Sequence, residues 1–181
     1  HMSMHVERRG PIRATVAVKG EHLNRQGSRC FSFTLRVHAF AGLPYLKLEY
    51  LFLNDNPTGV FTKVREVGLE ITLPDEPVEA LQIGGFEPGR PKGDVRLFQE
   101  DDRRCTLQGL GRKTRGKKAP GWVSVQTESQ CLRAAVRDFW QQWPKSIERS
   151  GDTLTLGLLP ALESDQYAGC EPIDKHYYLF K

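Results

Sequence analysis

The sequence holds no run of about 18 consecutive apolar residues, so no transmembrane helix is expected. Its first residues lack the apolar core of a signal peptide. There is no internal repeat, and no GxSxG elbow, P-loop, HExxH pair or dinucleotide fingerprint, so no common catalytic motif announces a chemistry. The four cysteines (Cys30, Cys105, Cys131 and Cys170) stand far apart with no CxxC pair. Free thiols are therefore expected rather than a zinc site, while spacing alone leaves a disulfide open. His5, His22, His38 and His176 have no ligand-like spacing, and neither a metal nor a cofactor is expected. Charge of one sign is also scarce: 26 basic against 22 acidic residues leave only +4. That is mild beside a dedicated nucleic-acid binder.

What is present is an ordinary globular balance. With 181 residues, 39% hydrophobic and 27% charged, the chain suffices for one sizeable core. Residues 5–181 read as a single domain, and 1–4 as a tag or linker. Ile12, Ala14, Val16 and Val18 alternate with polar neighbours, the two-residue period of a half-buried strand. Phe31, Phe33, Leu35, Val37 and Ala39 repeat the pattern with an aromatic inner face. Tyr45 to Asn54 is a third strand, with apolar residues on both faces at its far end, which is expected to be buried on both sides. Glycine- and proline-bearing turns separate these, and the three read as an antiparallel meander. Val60 to Leu73, Val78 to Ile83, Val95 to Gln99, Trp122 to Gln126 and Thr153 to Leu158 add further strand candidates, and His176 to Lys181 begins another. No helix of three turns stands out before residue 128. The fold class expected is all-β, an antiparallel β-sandwich with at most one or two short helical turns.

Two stretches carry the functional question. Arg103 to Lys118 holds Arg103, Arg104, Arg112, Lys113, Arg115, Lys117 and Lys118 and little that could enter a core. It reads as a mobile basic loop, either a solvated connection or a guide for an anionic polymer. Nucleic acid fits that description less well, because the loop lacks interleaved aromatics for base stacking. In the second stretch, Arg137-Asp138-Phe139-Trp140-Gln141-Gln142-Trp143-Pro144-Lys145, a strand through Val136 is expected to give way to a short helical turn stopped at Pro144. Phe139 and one tryptophan would plug the sandwich edge. Alternatively, an exposed indole stacks on a sugar while Arg137 or Lys145 meets a carboxylate. His176 and Tyr177 read either as a structural pair or as proton-transfer groups. The substrate-contacting residues expected are thus Arg137, Trp143, Lys145, His176 and Tyr177, with no catalytic residue assigned.

Several of these stretches together resemble a known family. They are Gly10-Pro11-Ile12-Arg13-Ala14, the strand ending His38-Ala39-Phe40-Ala41-Gly42, Tyr50 to Asn54, Gly121-Trp122, the run from Val136 to Lys145, Leu154 to Pro160, and His176-Tyr177-Tyr178. In this order they look like the central β-sandwich domain of the exo-rhamnogalacturonan lyase (PcRGLX-like, or YetA-like) family. The Arg-Asp-Phe-Trp-Gln…Pro-Lys run is the most specific part, and Gly84 to Lys118 has no counterpart. The resemblance implies a longer chain, with a RIFT-type barrel before this domain and an α/α toroid after it as intramolecular partners. It also implies an acidic pectin-type polysaccharide as ligand, and β-elimination as the chemistry of the whole protein. A lyase of that kind neutralises the uronate carboxylate with Arg or Lys and removes the C5 proton with a His or Tyr base. The domain alone is expected to be inactive.

Overall fold

The computed structural model describes residues 2–57, 59–111, 113–162 and 177–180. Among them every regular element is a strand, so the all-β reading holds. The residues gather into two compact units, His1–Lys63 with Tyr178–Lys181, and Val64–Tyr177.

The first unit is built on a four-stranded antiparallel meander: β1 (Ser3–Arg9), β2 (Arg13–Leu23), β3 (Arg29–Phe40) and β4 (Leu46–Leu53), paired in that order. Ser3 and Met4, read from sequence as tag or linker, open its edge strand. The connection from β2 to β3 is closed by the Asn24 carboxamide oxygen, which accepts from the Gln26 and Ser28 amides at 3.0 and 2.8 Å. The register makes the sheet amphipathic. Met4, Val18, Leu35 and Tyr50 form one row across the four strands, and Val6, Val16, Val37 and Leu48 the next. Successive rows lie two residues apart, so they share a face. On it Phe33 lies opposite Gly20. A Cβ at Gly20 would fall 2.7 Å from the Phe33 ring, so glycine is what lets that ring lie across β2.

The other face collects the charge. Glu7 accepts from Arg36 Nε and Nη2 at 2.8 and 3.0 Å. Buried His38 shares a 2.9 Å hydrogen bond with Thr15, and its Nε2 stands 3.4 Å from Glu49. His38 thus serves as a hydrogen-bonded strand residue. The burial expected at the far end of the third strand is not found: Leu51 and Leu53 are 61% and 62% exposed. Among the described residues β4 is the sheet edge with no neighbouring strand on its outer side, so apolar residues alone could not bury it.

The second unit is a sandwich of two sheets. One has six strands, in the order β10 (Thr114–Gly116), β9 (Cys105–Gln108), β8 (Val95–Gln99), β13 (Lys145–Ser150), β14 (Thr153–Leu159) and β6 (Val67–Thr72). The other has three: β12 (Cys131–Ala135), β11 (Trp122–Gln126) and β7 (Ala80–Ile83). Leu97, Leu107, Ile147 and Leu154 from the first meet Leu81, Ile83, Val123 and Val125 from the second in one core, each at most 3% exposed. That interdigitation of two inner faces is what a sandwich core requires. The expected extended run from Val60 to Leu73 divides into β5 (Phe61–Val64) and β6, and β5 pairs with β15 (Tyr177–Phe180).

The segment from Arg103 to Lys118 is not the mobile loop the sequence suggests. It is an antiparallel hairpin, with Thr114 opposite Leu107 and Gly116 opposite Cys105. Cys105 and Leu107 enter the core at 2% and 3% exposure, while Thr106 and Gln108 face outward. Two inward residues at a period of two suffice to hold a short strand beside the sheet edge, and the surrounding charge hides them from a composition-based reading. Gln99, wholly buried, ties the hairpin down. Its Nε2 donates to the carbonyls of Asp101, Arg104 and Lys117, and its Oε1 accepts from the Ala119 amide at 2.9 Å.

Candidate functional site

The strand period that sends Val95 and Leu97 inward turns Arg96 and Phe98 to the outer face of the six-stranded sheet. Arg96 lies opposite Gln108, Phe98 opposite Thr106, and Thr106 opposite Arg115, so all five share that face. With Glu100, Arg104 and Lys113 they line a groove of about 260 Å³. Four of its side chains are cationic and one is anionic, an arrangement that concentrates negatively charged ligands.

The cations differ in how they are held. Arg96 lies 5.0 Å above the Phe98 ring and donates to Glu148 at 3.1 Å and to the Ala161 carbonyl at 3.0 Å. Its orientation is therefore set before any ligand arrives. Arg104 donates to Asp101 at 2.7 Å and stands 3.6 Å from Glu100. The hydrogen bond to Asp101 and the charges of Glu100 and Asp101 hold its guanidinium above its usual pKa. Burial works to raise the Asp101 carboxyl, but hydrogen bonds from the Arg103 amide and the Arg104 side chain outweigh it and hold the group below the usual carboxylate range. Lys113 and Arg115 are exposed and belong to no ion pair among the described residues. They are the charges left over for a ligand. The Cys105 thiol in the lining is pushed up by burial and is chemically quiet. A larger cavity of about 370 Å³, lined by Ile71, Leu73, Val125, Leu132 and uncharged polar neighbours, has no group suited to an anion.

The stretch from Arg137 to Lys145 folds as its sequence suggests. β12 ends at Ala135, a turn spans 137–142, and the Gln142 amide donates to the Asp138 carbonyl at 2.9 Å. Phe139 is the anchor, 1% exposed. It packs against Gly121, where φ is +80° and a Cβ would fall 2.2 Å from the Phe139 Cβ. Trp140 is half-buried beneath Lys118, whose Nζ sits 3.9 Å from the ring centroid, a cation–π contact that ties the turn to the end of the basic segment.

The structure separates the residues named from sequence. Arg137 is solvent-exposed and 3.3 Å from the Asp138 carboxylate. Trp143 is 45% exposed, the one large hydrophobic of the second unit, among the described residues, that stands so far out. Lys145 points the other way. Only 7% exposed, it donates to the Leu158 carbonyl at 2.7 Å, and burial pushes its ammonium below the usual lysine range. β13 begins at Lys145, and the register that places Ile147 in the core places Lys145 on the same side, opposite Gln99. Tyr177 donates to the Pro160 carbonyl at 2.8 Å, and His176 lies outside the described residues. Arg96 was missed because it sits in a strand chosen for its apolar partners. The signal available was the alternation of Arg96 and Phe98 with Val95, Leu97 and Gln99. Cys30, Cys105 and Cys131 are free thiols, and Cys170 lies outside the described residues.

Among known protein families, residues 2–80 match the model of the PcRGLX-like protein central beta sandwich domain. The match takes in the four-stranded sheet and, of the stretches on which the resemblance rests, Gly10 to Ala14, His38 to Gly42 and Tyr50 to Asn54. The tryptophan-rich run and the basic hairpin lie beyond it. No curated protein matches the chain.

Proposed function

We propose that this chain, whose residues 2–80 match the PcRGLX-like central sandwich, is a non-catalytic, substrate-contacting part of a polysaccharide lyase-like protein. Its ligand is an acidic, pectin-type polysaccharide such as rhamnogalacturonan. Catalysis belongs to the neighbouring domains of a longer chain, a barrel before it and a toroid after it. The observation that carries the reading is the groove of Arg96, Arg104, Lys113 and Arg115 around a single carboxylate. A uronate polymer carries its negative charge on planar carboxylates, which a guanidinium meets with two parallel hydrogen bonds. Arg96 is oriented in advance by Glu148 and Phe98, so little of its freedom is lost on binding. The exposed Trp143 indole offers a second, uncharged contact for a sugar face or a neighbouring domain.

The test is binding of the 181-residue chain to rhamnogalacturonan and polygalacturonate beside a neutral galactan, followed by calorimetry and affinity electrophoresis. Acidic polymers should bind, weakening as salt rises, and the neutral one should not. Lys113→Gln with Arg115→Gln should lower affinity roughly tenfold, on the scale of one to two charge-assisted contacts, with an unchanged circular dichroism spectrum. Equal binding of acidic and neutral polymers, or an unaffected double variant, would remove the proposal. Ultraviolet absorbance of unsaturated uronate should not rise, and if it does, the non-catalytic assignment fails.

A further inference from the structure

We propose that Trp122 and Arg133 form a second polysaccharide subsite on the outer face of the three-stranded sheet. There the indole stacks on a uronate ring and the guanidinium takes the carboxylate. The subsite rests on the acidic-polysaccharide reading above and adds a contact that the basic groove lacks. What points to it is the attitude of the indole. A Cβ at Gly84 would fall 2.5 Å from Trp122 Nε1 and 2.8 Å from both Cδ1 and Cε2, the atoms that flank that nitrogen. A point beyond the nitrogen in the ring plane would be much farther from the two carbons than from the nitrogen. Distances so nearly equal place Gly84 beneath the ring face, so the indole lies flat on the sheet. Gly84 is accordingly buried and Trp122 half-buried, with one ring face down and the other turned away from the sheet.

The strand register surrounds this ring with suitable neighbours. Trp122 lies opposite Ala135 on β12, and its carbonyl accepts from the Gly84 amide just past β7. Glycine and alanine thus flank the indole across the sheet, and neither rises above it. Two residues along, on the same face and roughly 7 Å away, Arg133, Ser124 and Gln82 form the next row, and Cys131, Gln126 and Ala80 the one after. Arg133 is therefore the single charge among the outward positions of these strands. It is exposed and in no ion pair among the described residues. A uronate ring matches this face in two ways. Its C–H bonds make an apolar face that stacks on an aromatic one, and its planar carboxylate accepts two parallel hydrogen bonds from a guanidinium. Gln82 offers a donor and an acceptor to a ring hydroxyl. With no carboxylate on the face, an anionic ligand meets no like charge there. A tryptophan serving the sheet alone would account for the covered glycine but would not respond to ligand.

The groove lies on the outer face of the six-stranded sheet, across the shared core, so one titration reads the two sites separately. Tetragalacturonate is added to the isotope-labelled 181-residue chain. Heteronuclear NMR follows the Trp122 indole N–H, identified by its loss in Trp122→Phe, and the backbone amides of Lys113 and Arg115. The indole resonance should shift and saturate. Arg133→Gln should raise the dissociation constant read there roughly fivefold, the scale of one exposed ion pair, and leave the groove amides responding as before. Arg133 is exposed on an edge strand, so its replacement does not threaten folding. An indole resonance that stays put while the groove amides shift overturns the subsite and leaves the groove reading intact. So does an unchanged constant in Arg133→Gln, or equal binding of neutral galactotetraose at the indole. An indole that shifts while the groove amides do not upholds the subsite and removes the groove from the account. If neither moves, the acidic-polysaccharide reading falls and the subsite with it.

Discussion

The two units solve the same problem in different ways. The second closes two sheets on one another and, among the described residues, leaves hardly any large apolar side chain outside, whereas the first is built on a four-stranded sheet whose largely apolar face keeps Met4, Val6, Leu46 and Leu48 exposed. A sheet with one hydrophobic face must bury it against something. Inside one unit that something is a second sheet, and in the other it must come from elsewhere. The closed unit carries the charged groove on its outer face.

Substitution of core residues should separate the units most sharply. Phe139→Ala in the closed core should cost about 3–5 kcal/mol, read as a fall in the denaturant midpoint. Leu48→Ala on the open sheet should cost less than about 1 kcal/mol, since the side chain is 42% exposed and little burial is lost there. Comparable costs would mean that the two units share one core. A smaller effect concerns a polar residue inside the closed unit. Lys145→Ala should destabilise by about 1–3 kcal/mol, because it leaves the Leu158 carbonyl unpaired. Polysaccharide affinity should stay unchanged. If affinity falls while stability holds, Lys145 meets the ligand after all.

The smallest effect is a pH dependence confined to the open unit. Burial lowers the pKa of His22 from its ordinary value, so the unfolded chain takes up its proton first as pH falls. Between pH 7 and the ordinary histidine value of about 6.5, the contribution is nil. Below it the unfolded state binds more protons, and stability falls until the folded pKa is passed. The paired carboxylates Glu7, Glu49 and Asp55, which lie below their usual range, lose their contribution only at more acidic pH. Thermal melts between pH 7 and pH 5 should therefore show a decline that His22→Gln flattens. A wild-type slope identical to that of the variant would remove His22 from the account.

Which features could be read in advance depended on how much of their cause is local. β2, β3, β8, β11 and β14 emerged from alternation, because a strand with one buried face writes that period into its own residues. The turn from Arg137 to Gln142 emerged from Pro144 and from aromatic spacing. β13 did not, since two of its three inward positions are Lys145, whose ammonium donates to the Leu158 carbonyl, and Arg149, whose Nη1 reaches the Gly93 carbonyl. The basic hairpin was hidden for the same reason: its fastening is the Gln99 side chain, not anything within residues 103–118. Of the residues expected to touch substrate, Arg137 and Trp143 stand in solvent as a binding role requires, and Lys145 and Tyr177 hold carbonyls of their own chain.

The sequence by itself determined the fold class, most strand positions and the likeness to the PcRGLX-like central beta sandwich, because period, turn chemistry and residue order are properties of neighbours along the chain. Only the tertiary structure decided that there are two units, that the meander keeps an open apolar face, and that the cations gather in one groove. Those outcomes depend on which strands pair across tens of residues. They rest on register, and on buried groups such as Gln99 that pair polar atoms no local pattern brings together.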